Sequence, residues 1–540
     1  MGVNSRRWSS FAQVRVDRTL RALRSRPRFE RFKAIKKHQY DPRLLRSSLA
    51  LVLLVGLVYT MASLNARRLW YNRVEPYAST IPVDYPYDSI YRTPQDMECL
   101  AWKSQSGLKP CAHVVKSSET GYCIVKDLIS NSVFKVMSTS PGTFGQRPSF
   151  SCQGHFLDFI NFRVGAQIHV QELEREPDPV VEQEGRESSR GIVMAVNDRN
   201  FPSMFAVVRR LRDEGCELPV ELWHLADELA TVGSALDDLV DNYNVLLMKV
   251  EDPKIRGFLV KVYAVEMSKF DQLLFLDSDN FPLKDPTYLF DTPEFQKTGA
   301  IFWPDFWHPS FSIFDTGPGG LAWELFGVKC DNEMEQESGQ LLVDRKRHSK
   351  ALSLTAWYGH NNSIVQELRA VWGDKDLFRL AFKRLSVEYH MIQTLPGLAG
   401  RNLARKKDDL GEGSNFCGQT MVQHDPKGEV VFLHRNTAKL DSVSGKAMTW
   451  ETIQRYGGIN VANYTVLMNQ FRMADTCWYF PNMDDPELNP KYEEVTFGHV
   501  EAIAISRVTA LETRIRKESL AKKSHNRVTK SLLKIFHGWT

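Results

Sequence analysis

The stretch Phe270-Asp-Gln-Leu-Leu-Phe-Leu-Asp-Ser-Asp-Asn-Phe-Pro282 decides the fold of this chain, because an apolar run leads directly into two carboxylates. Leu273 to Leu276 is a continuous apolar run, which is typical of a central parallel strand covered on both faces. Asp277 and Asp279 follow at the carboxyl end of that strand, where open α/β sheets bind their ligands. Two carboxylates there can hold a hard divalent cation, although an Asp-x-Asp sequence can also serve only to cap a turn.

Apolar runs alternate with helical stretches around this strand, which predicts an α/β fold with a Rossmann-like, mostly parallel sheet. The sequence predicts strands at 191–197, 220–223 and 245–248, and helices at 201–214 and 258–267. No Gly-x-Gly-x-x-Gly sequence follows the first strand, so a dinucleotide-binding fold of the dehydrogenase type is disfavoured. Asn197 is predicted to meet a nucleotide base or ribose, and Lys261 on the second helix is a further candidate for binding the nucleotide cofactor.

The net charge of the 540-residue chain is +4, but its basic character is concentrated near the N-terminus. Residues 1–46 hold 14 Lys and Arg against 3 Asp and Glu, and this arm precedes a hydrophobic segment. A nucleic-acid-binding protein would carry its basic surface on a folded domain, so that function is not expected.

The hydrophobic segment 47–64 contains no charged residue, which predicts a single transmembrane signal anchor. A cleaved signal peptide and a buried core helix are the alternatives, and the long basic arm disfavours the first. The excess of Arg and Lys before the segment predicts a cytoplasmic N-terminus and a lumenal remainder.

All eight cysteines follow this segment, an even number on the side of the membrane where disulfides form. No Cys-x-x-Cys sequence occurs, so a zinc site is not expected. Asn361-Asn-Ser and Asn463-Tyr-Thr are glycosylation acceptor sequences that become usable in the same compartment.

Composition divides the chain into six parts. Residues 500–540 carry Ala504, Val508 and Leu511 at helical spacing, which predicts a solvated helix packed by one stripe, with binding to a membrane surface as the alternative. Residues 172–190 are acidic and polar, which predicts a linker or surface loop. The predicted parts are a cytoplasmic arm (1–46), an anchor (47–64), a Pro-rich stem (65–96), a cysteine-containing lead-in subdomain with its linker (97–187), a catalytic domain (188–480) and a basic helical tail (481–540).

Four further segments that follow the acidic pair carry aromatic, polar or charged side chains that could contribute to the same site. Residues 300–307 offer aromatic faces for a sugar ring or, alternatively, plain core packing. Residues 337–343 place polar groups and a glycine just before an apolar strand, where the backbone can approach a ligand closely. Residues 373–376 open a helix predicted at 377–385, or only cap it. Residues 430–439 end a strand with a histidine and a lysine.

His434 is predicted to be the third metal ligand beside Asp277 and Asp279, and imidazole suits Mn²⁺ better than Mg²⁺ or Ca²⁺. Such a cation can bridge the phosphates of a nucleotide, which is typical of a nucleotide-sugar transferase. Lys439 would neutralise phosphate charge. His424 competes with His434, but its position before Pro426 favours a turn.

At these residues the chain resembles the fungal Golgi α-1,2- and α-1,3-mannosyltransferases that build mannan branches. The resemblance covers roughly residues 190–440. It implies a GT-A fold, GDP-mannose as donor, Mn²⁺ as cofactor and retention of the α-configuration. The matching segments are Gly191-Ile-Val-Met, Leu218-Pro-Val-Glu-Leu-Trp-His224, Leu274-Phe-Leu-Asp-Ser-Asp-Asn280, Asp285-Pro286, Phe302-Trp-Pro-Asp305, Glu337-Ser-Gly-Gln340 and Gly373-Asp-Lys375.

The resemblance implies a type II Golgi membrane enzyme that transfers mannose to a mannose-containing glycan. Asp374 is the candidate for holding the donor sugar, and Glu337 and Gln340 for the acceptor or donor hydroxyls. The choice between α-1,2 and α-1,3 linkage stays open, as does the choice between front-face attack and a covalent intermediate. The alternatives are a transferase that uses a UDP-sugar and a non-catalytic subunit of a glycosyltransferase complex.

Overall fold

The computed structural model describes residues 42–78, 81–140, 148–177, 188–403, 416–440, 447–458, 460–471 and 475–537. These residues fall into two compact units that divide after Arg73. The helices are α1 (Pro42–Ala78), α2 (Cys152–Arg175), α3 (Phe201–Asp213), α4 (Ser234–Asn242), α5 (Leu259–Met267), α6 (Pro293–Thr298), α7 (Leu321–Phe326), α8 (Ser349–His360), α9 (Ser363–Glu367), α10 (Leu377–Arg384) and α11 (Gly498–His537).

Helix α1 contains the predicted membrane segment. Its part Ala50–Tyr77 is long and apolar enough to cross a membrane, with a mean hydropathy of 1.5 in its most apolar window. The helix continues to Ala78, so the prediction of an irregular stem from residue 65 is wrong for its first part. The reason is that residues 65–75 contain neither Gly nor Pro, and the first proline of the predicted stem is Pro76.

The cysteine-rich region forms a small sheet covered by helix α2. Two disulfides tie it together, Cys99 to Cys111 and Cys123 to Cys152. Since α2 ends at Arg175, the linker predicted from residue 172 begins later, and residues 178–187 lie outside the described part of the chain. The strands in sheet order are β1 (Val83–Asp84), β5 (Val133–Thr139), β4 (Gly121–Asp127), β2 (Met97–Ser104) and β3 (Gly107–Lys109).

This region shares its hydrophobic core with helices that come much later in the chain. The ring of Phe162 on α2 stacks on Tyr358 of α8 with centroids 5.8 Å apart, and it meets Phe326 of α7 edge-on at 5.6 Å. The Glu324 carboxylate on α7 accepts hydrogen bonds from the backbone N–H groups of Met137 and Ser138 at 3.0 and 2.8 Å. The lead-in region therefore packs as an integral layer of the unit that follows Arg73.

A seven-stranded sheet forms the centre of the fold, and the predicted buried strand lies in its middle. Every strand is parallel to the others except β12, which runs antiparallel to both neighbours, so the predicted mostly parallel sheet is confirmed. Its strands in order are β13 (His390–Met391), β11 (Ala300–Pro304), β12 (Gln336–Asp344), β9 (Gln272–Leu276), β6 (Arg190–Ala195), β7 (Val220–His224) and β8 (Val245–Lys249).

A second sheet, which the sequence did not predict as such, lies beside the carboxyl end of β9. Strand β10 begins at Asn280, directly after the acidic pair, and pairs with β16. The third disulfide, Cys417 to Cys477, joins β15 and β19 within it. Its strands are β10 (Asn280–Pro282), β16 (Val430–His434), β15 (Phe416–His424), β14 (Gly397–Asn402), β17 (Thr452–Arg455) and β20 (Lys491–Glu494), with β18 (Leu467–Phe471) and β19 (Asp475–Tyr479) joined through β15.

Helix α11 packs on the domain along one stripe, as predicted. Ala504, Val508 and Leu511 are buried in the core that also contains helix α3, and Arg507 forms an ion pair with Asp213 on the same side. Burial of this stripe stabilises the helix, because an isolated helix would leave the same apolar side chains exposed to water.

Candidate active site

Three predicted metal ligands meet at the carboxyl end of strand β9. One ligand atom from each of Asp277, Asp279 and His434 lies within 4.8 Å of the other two. The Nε2 atom of His434 is 3.3 Å from a carboxylate oxygen of Asp279. The grouping arises because β10 continues from the acidic pair and places Asn280 opposite His434 on β16. Two carboxylates and an imidazole form a ligand set that suits a divalent transition metal such as Mn²⁺.

The charges around Asp279 favour its ionised form. Burial by itself would raise the pKa of Asp279, but Lys439 and His434 hold that pKa well below its usual range. Burial would lower the pKa of His434, and the neighbouring Asp279 raises it instead. The Lys439 ammonium forms an ion pair with Asp279, although 45% of its side chain is exposed. This lysine therefore reaches from solvent onto the acidic pair.

Gly339 makes room for the imidazole of His434. A Cβ atom at this position would lie 2.7 Å from two ring atoms of His434, a distance too short for any side chain. The Gly339 N–H donates a 2.7 Å hydrogen bond to Glu337, whose carboxylate lies 3.6 Å from Nδ1 of His434. This glycine was predicted to permit the close approach of a ligand, whereas in the structure it permits the close approach of the His434 ring.

Lys261 lies buried behind the acidic pair and links it to Asp374. Its ammonium is 3.1 Å from Asp277 and 3.0 Å from Asp374, and it donates a 2.8 Å hydrogen bond to the Ser338 carbonyl. Burial would lower the pKa of Lys261, but the two carboxylates raise it, so the side chain is charged at neutral pH. The site residues of β9, of helix α5 and of the turn before α10 therefore form one connected network.

A cavity of about 810 Å³ opens over this network. The cavity extends from the end of β6, where Asn197 lies, across the acidic pair to the segment that follows β11. Asn197 also accepts hydrogen bonds from the backbone N–H groups of Arg199 and Asn200 at 3.0 and 3.1 Å, so its side chain is held by the turn. The predicted site residues that line the cavity are Asn197, Lys261, Asp277, Asp279, Glu337, Asp374, His434 and Lys439.

Gln340 lies outside this cavity. It is completely buried, and its amide oxygen accepts a hydrogen bond of 2.5 Å from the side chain of Asn280. The register between β11 and β12 is irregular beside Gln340: Phe302 pairs with Leu341, whereas Trp303 pairs with Glu337. On its other side Gln340 pairs with Leu276 of β9, so its backbone lies between two strands of the central sheet.

His424, the competing histidine, lies outside the metal cluster. It is the last residue of strand β15 and is completely buried, so the prediction that it lies in a turn is wrong. The turn begins one residue later, where Gly428 N–H donates to the Asp425 carbonyl at 2.9 Å. Burial, and secondarily Arg455, lowers the pKa of His424 to about 3, which keeps this imidazole neutral.

The aromatic residues predicted at 300–307 divide between core and cavity. Trp303 is completely buried and donates a 2.8 Å hydrogen bond to the His424 carbonyl, so it is a core residue. Trp307 lines the cavity and meets Trp478 edge-on at 5.9 Å between ring centroids. Phe306 and Phe314 complete this aromatic wall. Trp478 was not predicted from the sequence, because it lies on the late strand β19, which has no recognisable motif.

The sequence also did not predict a buried ionic cluster that lies next to the aromatic wall. The Lys375 ammonium lies 3.3 Å from Asp305 and 2.9 Å from Asp376, and it also pairs with Glu335. Burial raises the pKa of Asp305 to about 7, against the opposing effect of Lys375. Asp305 and Lys375 both line the cavity, so they add polar groups to its aromatic end.

The family model Mannosyl_trans3, a mannosyltransferase family, matches residues 189–317 and 324–425. Alpha-1,2-mannosyltransferase MNN2 of Saccharomyces cerevisiae is 25% identical over 421 residues, which cover 66% of this chain and 65% of that protein. Alpha-1,2-mannosyltransferase MNN2 of Candida albicans is 32% identical over 244 residues, which cover 36% of this chain and 41% of that protein. The chain thus spans between about two fifths and two thirds of these relatives.

Among solved structures, the galactosyltransferase LgtC is similar to 37% of this chain, with 16% identity, a TM-score of 0.28 and 72% of its own chain covered. The mostly parallel seven-stranded sheet and the helices around it confirm the predicted α/β fold with a Rossmann-like sheet. Over residues 189–425, the family match and these relatives support the predicted resemblance to the fungal mannosyltransferases.

Proposed function

We propose that this protein is a type II Golgi membrane enzyme that transfers mannose from GDP-mannose to a mannose-containing glycan, with retention of the α-configuration. The observation that carries the proposal is the cluster of Asp277, Asp279 and His434 beside Lys439, at the end of a central strand in a chain that matches a mannosyltransferase family model over residues 189–317 and 324–425. A pure binding subunit would have no need for a cation site with a lysine reaching over it. The names of the relatives favour an α-1,2 linkage.

Asp277, Asp279 and His434 would hold Mn²⁺, because two carboxylates and one imidazole leave further positions for diphosphate oxygens and water. When bound, this cation would neutralise the charge that develops on the leaving diphosphate. Lys439 is partly exposed, so its ammonium can turn from Asp279 toward a phosphate. Asn197 would contact the base or ribose at the other side of the acidic pair.

The buried Lys261 would orient Asp277 and Asp374 without touching the nucleotide, since its ammonium already contacts both carboxylates and the Ser338 carbonyl. Asp374 would then accept a hydrogen bond from a hydroxyl of the donor sugar. Glu337 also lines the cavity, and its carboxylate could likewise accept a hydrogen bond from a sugar hydroxyl. Gln340 would not contact a sugar, and it would support the site only indirectly, through the hydrogen bond that its amide oxygen accepts from Asn280.

The order of the strands suggests where the acceptor binds. Asn197 follows β6 on one side of β9, whereas Asp305 and Trp307 follow β11 on the other side. If the nucleotide occupies the β6 side, the acceptor sugar occupies the β11 side, where the aromatic wall and Asp305 offer ring faces and a polar group.

The membrane topology in the proposal is supported by helix α1 and by the basic residues that precede it. Three disulfides and the exposed positions of Asn361 and Asn463 are compatible with a lumenal catalytic unit. Protease added to sealed Golgi vesicles should spare the catalytic unit, and digestion of that unit in intact vesicles would refute the type II topology.

Donor hydrolysis by the purified full-length chain in detergent tests the catalytic proposal. GDP-mannose, UDP-galactose and UDP-glucose are compared with and without Mn²⁺, for the wild type and for Asp277→Asn. We expect hydrolysis of GDP-mannose that depends on Mn²⁺ and falls by ~10³-fold in the variant. Preference for a UDP-sugar would reassign the donor, and hydrolysis of none would leave a non-catalytic subunit as the better explanation.

A further inference from the structure

The C-terminal helix reaches the metal cluster through a buried ion pair. Glu501, in the first turn of α11, pairs with Arg435, and both side chains have no exposed surface. Arg435 directly follows His434 in the chain. The family match ends at residue 425, so His434, Arg435 and Glu501 all lie beyond it.

Glu501 is fully engaged in this position. Besides Arg435, it accepts hydrogen bonds from the backbone N–H groups of Thr449 and Trp450 at 2.9 and 2.8 Å, and from the Thr449 hydroxyl at 2.9 Å. A buried carboxylate with this many donors is held in one place. Helix α11 therefore presents a fixed negative charge to the guanidinium of Arg435.

Arg435 in turn holds the segment that carries the metal-site residues. Its Nε donates a 2.7 Å hydrogen bond to the Ala438 carbonyl, which closes the turn between His434 and Lys439. Its backbone N–H donates a 2.9 Å hydrogen bond to the carbonyl of Asp279. Both ends of this turn contact the Asp279 side chain, through His434 at one end and Lys439 at the other.

We propose that Glu501 is a positioning residue for the divalent cation, acting through Arg435 on the turn of residues 434–439. Loss of the Glu501 charge leaves a buried guanidinium without its counter-ion, which is strongly unfavourable, so Arg435 would move toward water. The turn would then release His434 and Lys439 from Asp279. This inference rests on the proposed metal-dependent transfer, and it makes the C-terminal helix part of the active-site framework.

Manganese binding by the full-length chain in detergent tests this inference without relying on activity. The electron paramagnetic resonance signal of free Mn²⁺ is titrated against the wild type, Glu501→Gln and Arg435→Lys. Supporting residues around metal ligands typically change metal affinity by ~10–100-fold, and we expect a loss of this size in both variants. Lysine retains the charge of Arg435 but cannot donate to Glu501 and to the Ala438 carbonyl together. The Arg435→Lys variant therefore tests the inference even if Glu501→Gln does not fold.

The chain offers a matched control in the lead-in sheet. Arg92 and Asp127 form another buried ion pair, 2.9 Å long with both side chains 3% exposed, and Asp127 also accepts from the backbone N–H of Ile129 at 2.9 Å. Asp127→Asn should lower the melting temperature while leaving the Mn²⁺ affinity within about 2-fold of the wild type, because this pair lies away from the metal cluster.

The outcomes separate the inference from the proposed function. A wild-type protein that binds no Mn²⁺ would refute the metal-dependent function itself. Wild-type binding together with unchanged affinity in a folded Glu501→Gln or Arg435→Lys protein would overturn the positioning role. An equal loss of affinity in Asp127→Asn would also overturn it, because the effect would then reflect general destabilisation.

Discussion

Asn280 on strand β10 lies opposite His434 on strand β16, and this pairing closes the metal cluster. The residue before Asn280 is Asp279, so the two strands bring the imidazole within 3.3 Å of its carboxylate. The second sheet therefore supplies the third predicted ligand to an acidic pair that lies between the end of β9 and the start of β10. Each sheet alone would present an incomplete site.

Substitution of each histidine should separate the two candidates for the third ligand. We expect His434→Ala to raise the Mn²⁺ concentration required for half-maximal transfer by ~10-fold or more, because it removes a direct ligand. His424→Ala should lower stability but leave the Mn²⁺ dependence close to that of the wild type, since His424 is buried beside Arg455. Unchanged Mn²⁺ dependence in His434→Ala would remove this residue from the site.

Replacement of Gly339 tests the packing beneath the imidazole. The added methyl group in Gly339→Ala would lie 2.7 Å from the ring of His434, so the ring must shift away from Asp279. We expect Mn²⁺ affinity to fall by ~10-fold in a titration of the folded protein. Gly154→Ala on helix α2 is the control, because its methyl group would approach only the Ser151 hydroxyl, at 3.1 Å. Wild-type affinity in Gly339→Ala would contradict the proposed contact.

A substitution in the aromatic wall should weaken binding of the acceptor and leave binding of the donor unchanged. Removal of the indole in Trp307→Ala eliminates a ring face at the β11 side of the cavity, and we expect the acceptor KM to rise by ~10-fold, equivalent to about 1.4 kcal/mol. Hydrolysis of the donor in the absence of acceptor should be unchanged, and this rate also reports correct folding. Tyr91→Ala, at an exposed tyrosine that does not line the cavity, is the control. A selective change in donor KM would place Trp307 on the donor side.

His348 should make the folded protein sensitive to mild acid. Burial lowers the pKa of His348 to about 4, although its Nε2 lies 2.8 Å from the Thr298 carbonyl. In the unfolded chain the pKa is ~6.5, so the unfolded state binds more protons between these values. The free energy of unfolding should therefore fall as pH drops from about 6.5 toward 4, by on the order of 2–3 kcal/mol.

Urea denaturation of the full-length chain in detergent at pH 7 and pH 5 measures this effect. The His348→Gln variant should lose less stability over this interval than the wild type, because glutamine does not titrate. Equal losses in both proteins would show that His348 does not control the acid sensitivity.

The sequence predicted those parts of the fold and site that depend on local patterns. The central strands and the helices at 201–213 and 259–267 follow from apolar runs and helical spacing. Asp277 and His434 each directly follow such a run, and Asp279 lies two residues after Asp277. The sequence did not predict that Gln340 lies outside the cavity, bonded to Asn280 in the interior, because no local residue pattern distinguishes it from its neighbours on the strand.

Long-range contacts explain what the sequence did not predict. The sequence predicted Lys439 as a residue that neutralises phosphate charge, but not its ion pair with Asp279, which lies 160 residues earlier. The pairing of Glu501 with Arg435 across 66 residues was not predicted either. The pairing of β10 with β16 and the position of Trp478 likewise depend on how distant segments associate in the folded chain. Such contacts leave no periodicity within a single segment, so composition and spacing could not reveal them.

The core shared by Phe162, Phe326 and Tyr358 has a consequence for biosynthesis. The lead-in sheet and helix α2 leave the ribosome first, but the helices that cover their apolar face are synthesised more than 140 residues later. Until then this face is exposed to solvent. Newly synthesised chains in this state are prone to aggregate unless a chaperone binds the exposed surface. A secreted fragment that starts at the family-matched segment would have the opposite defect, because helices α7 and α8 would lack the surface against which they fold.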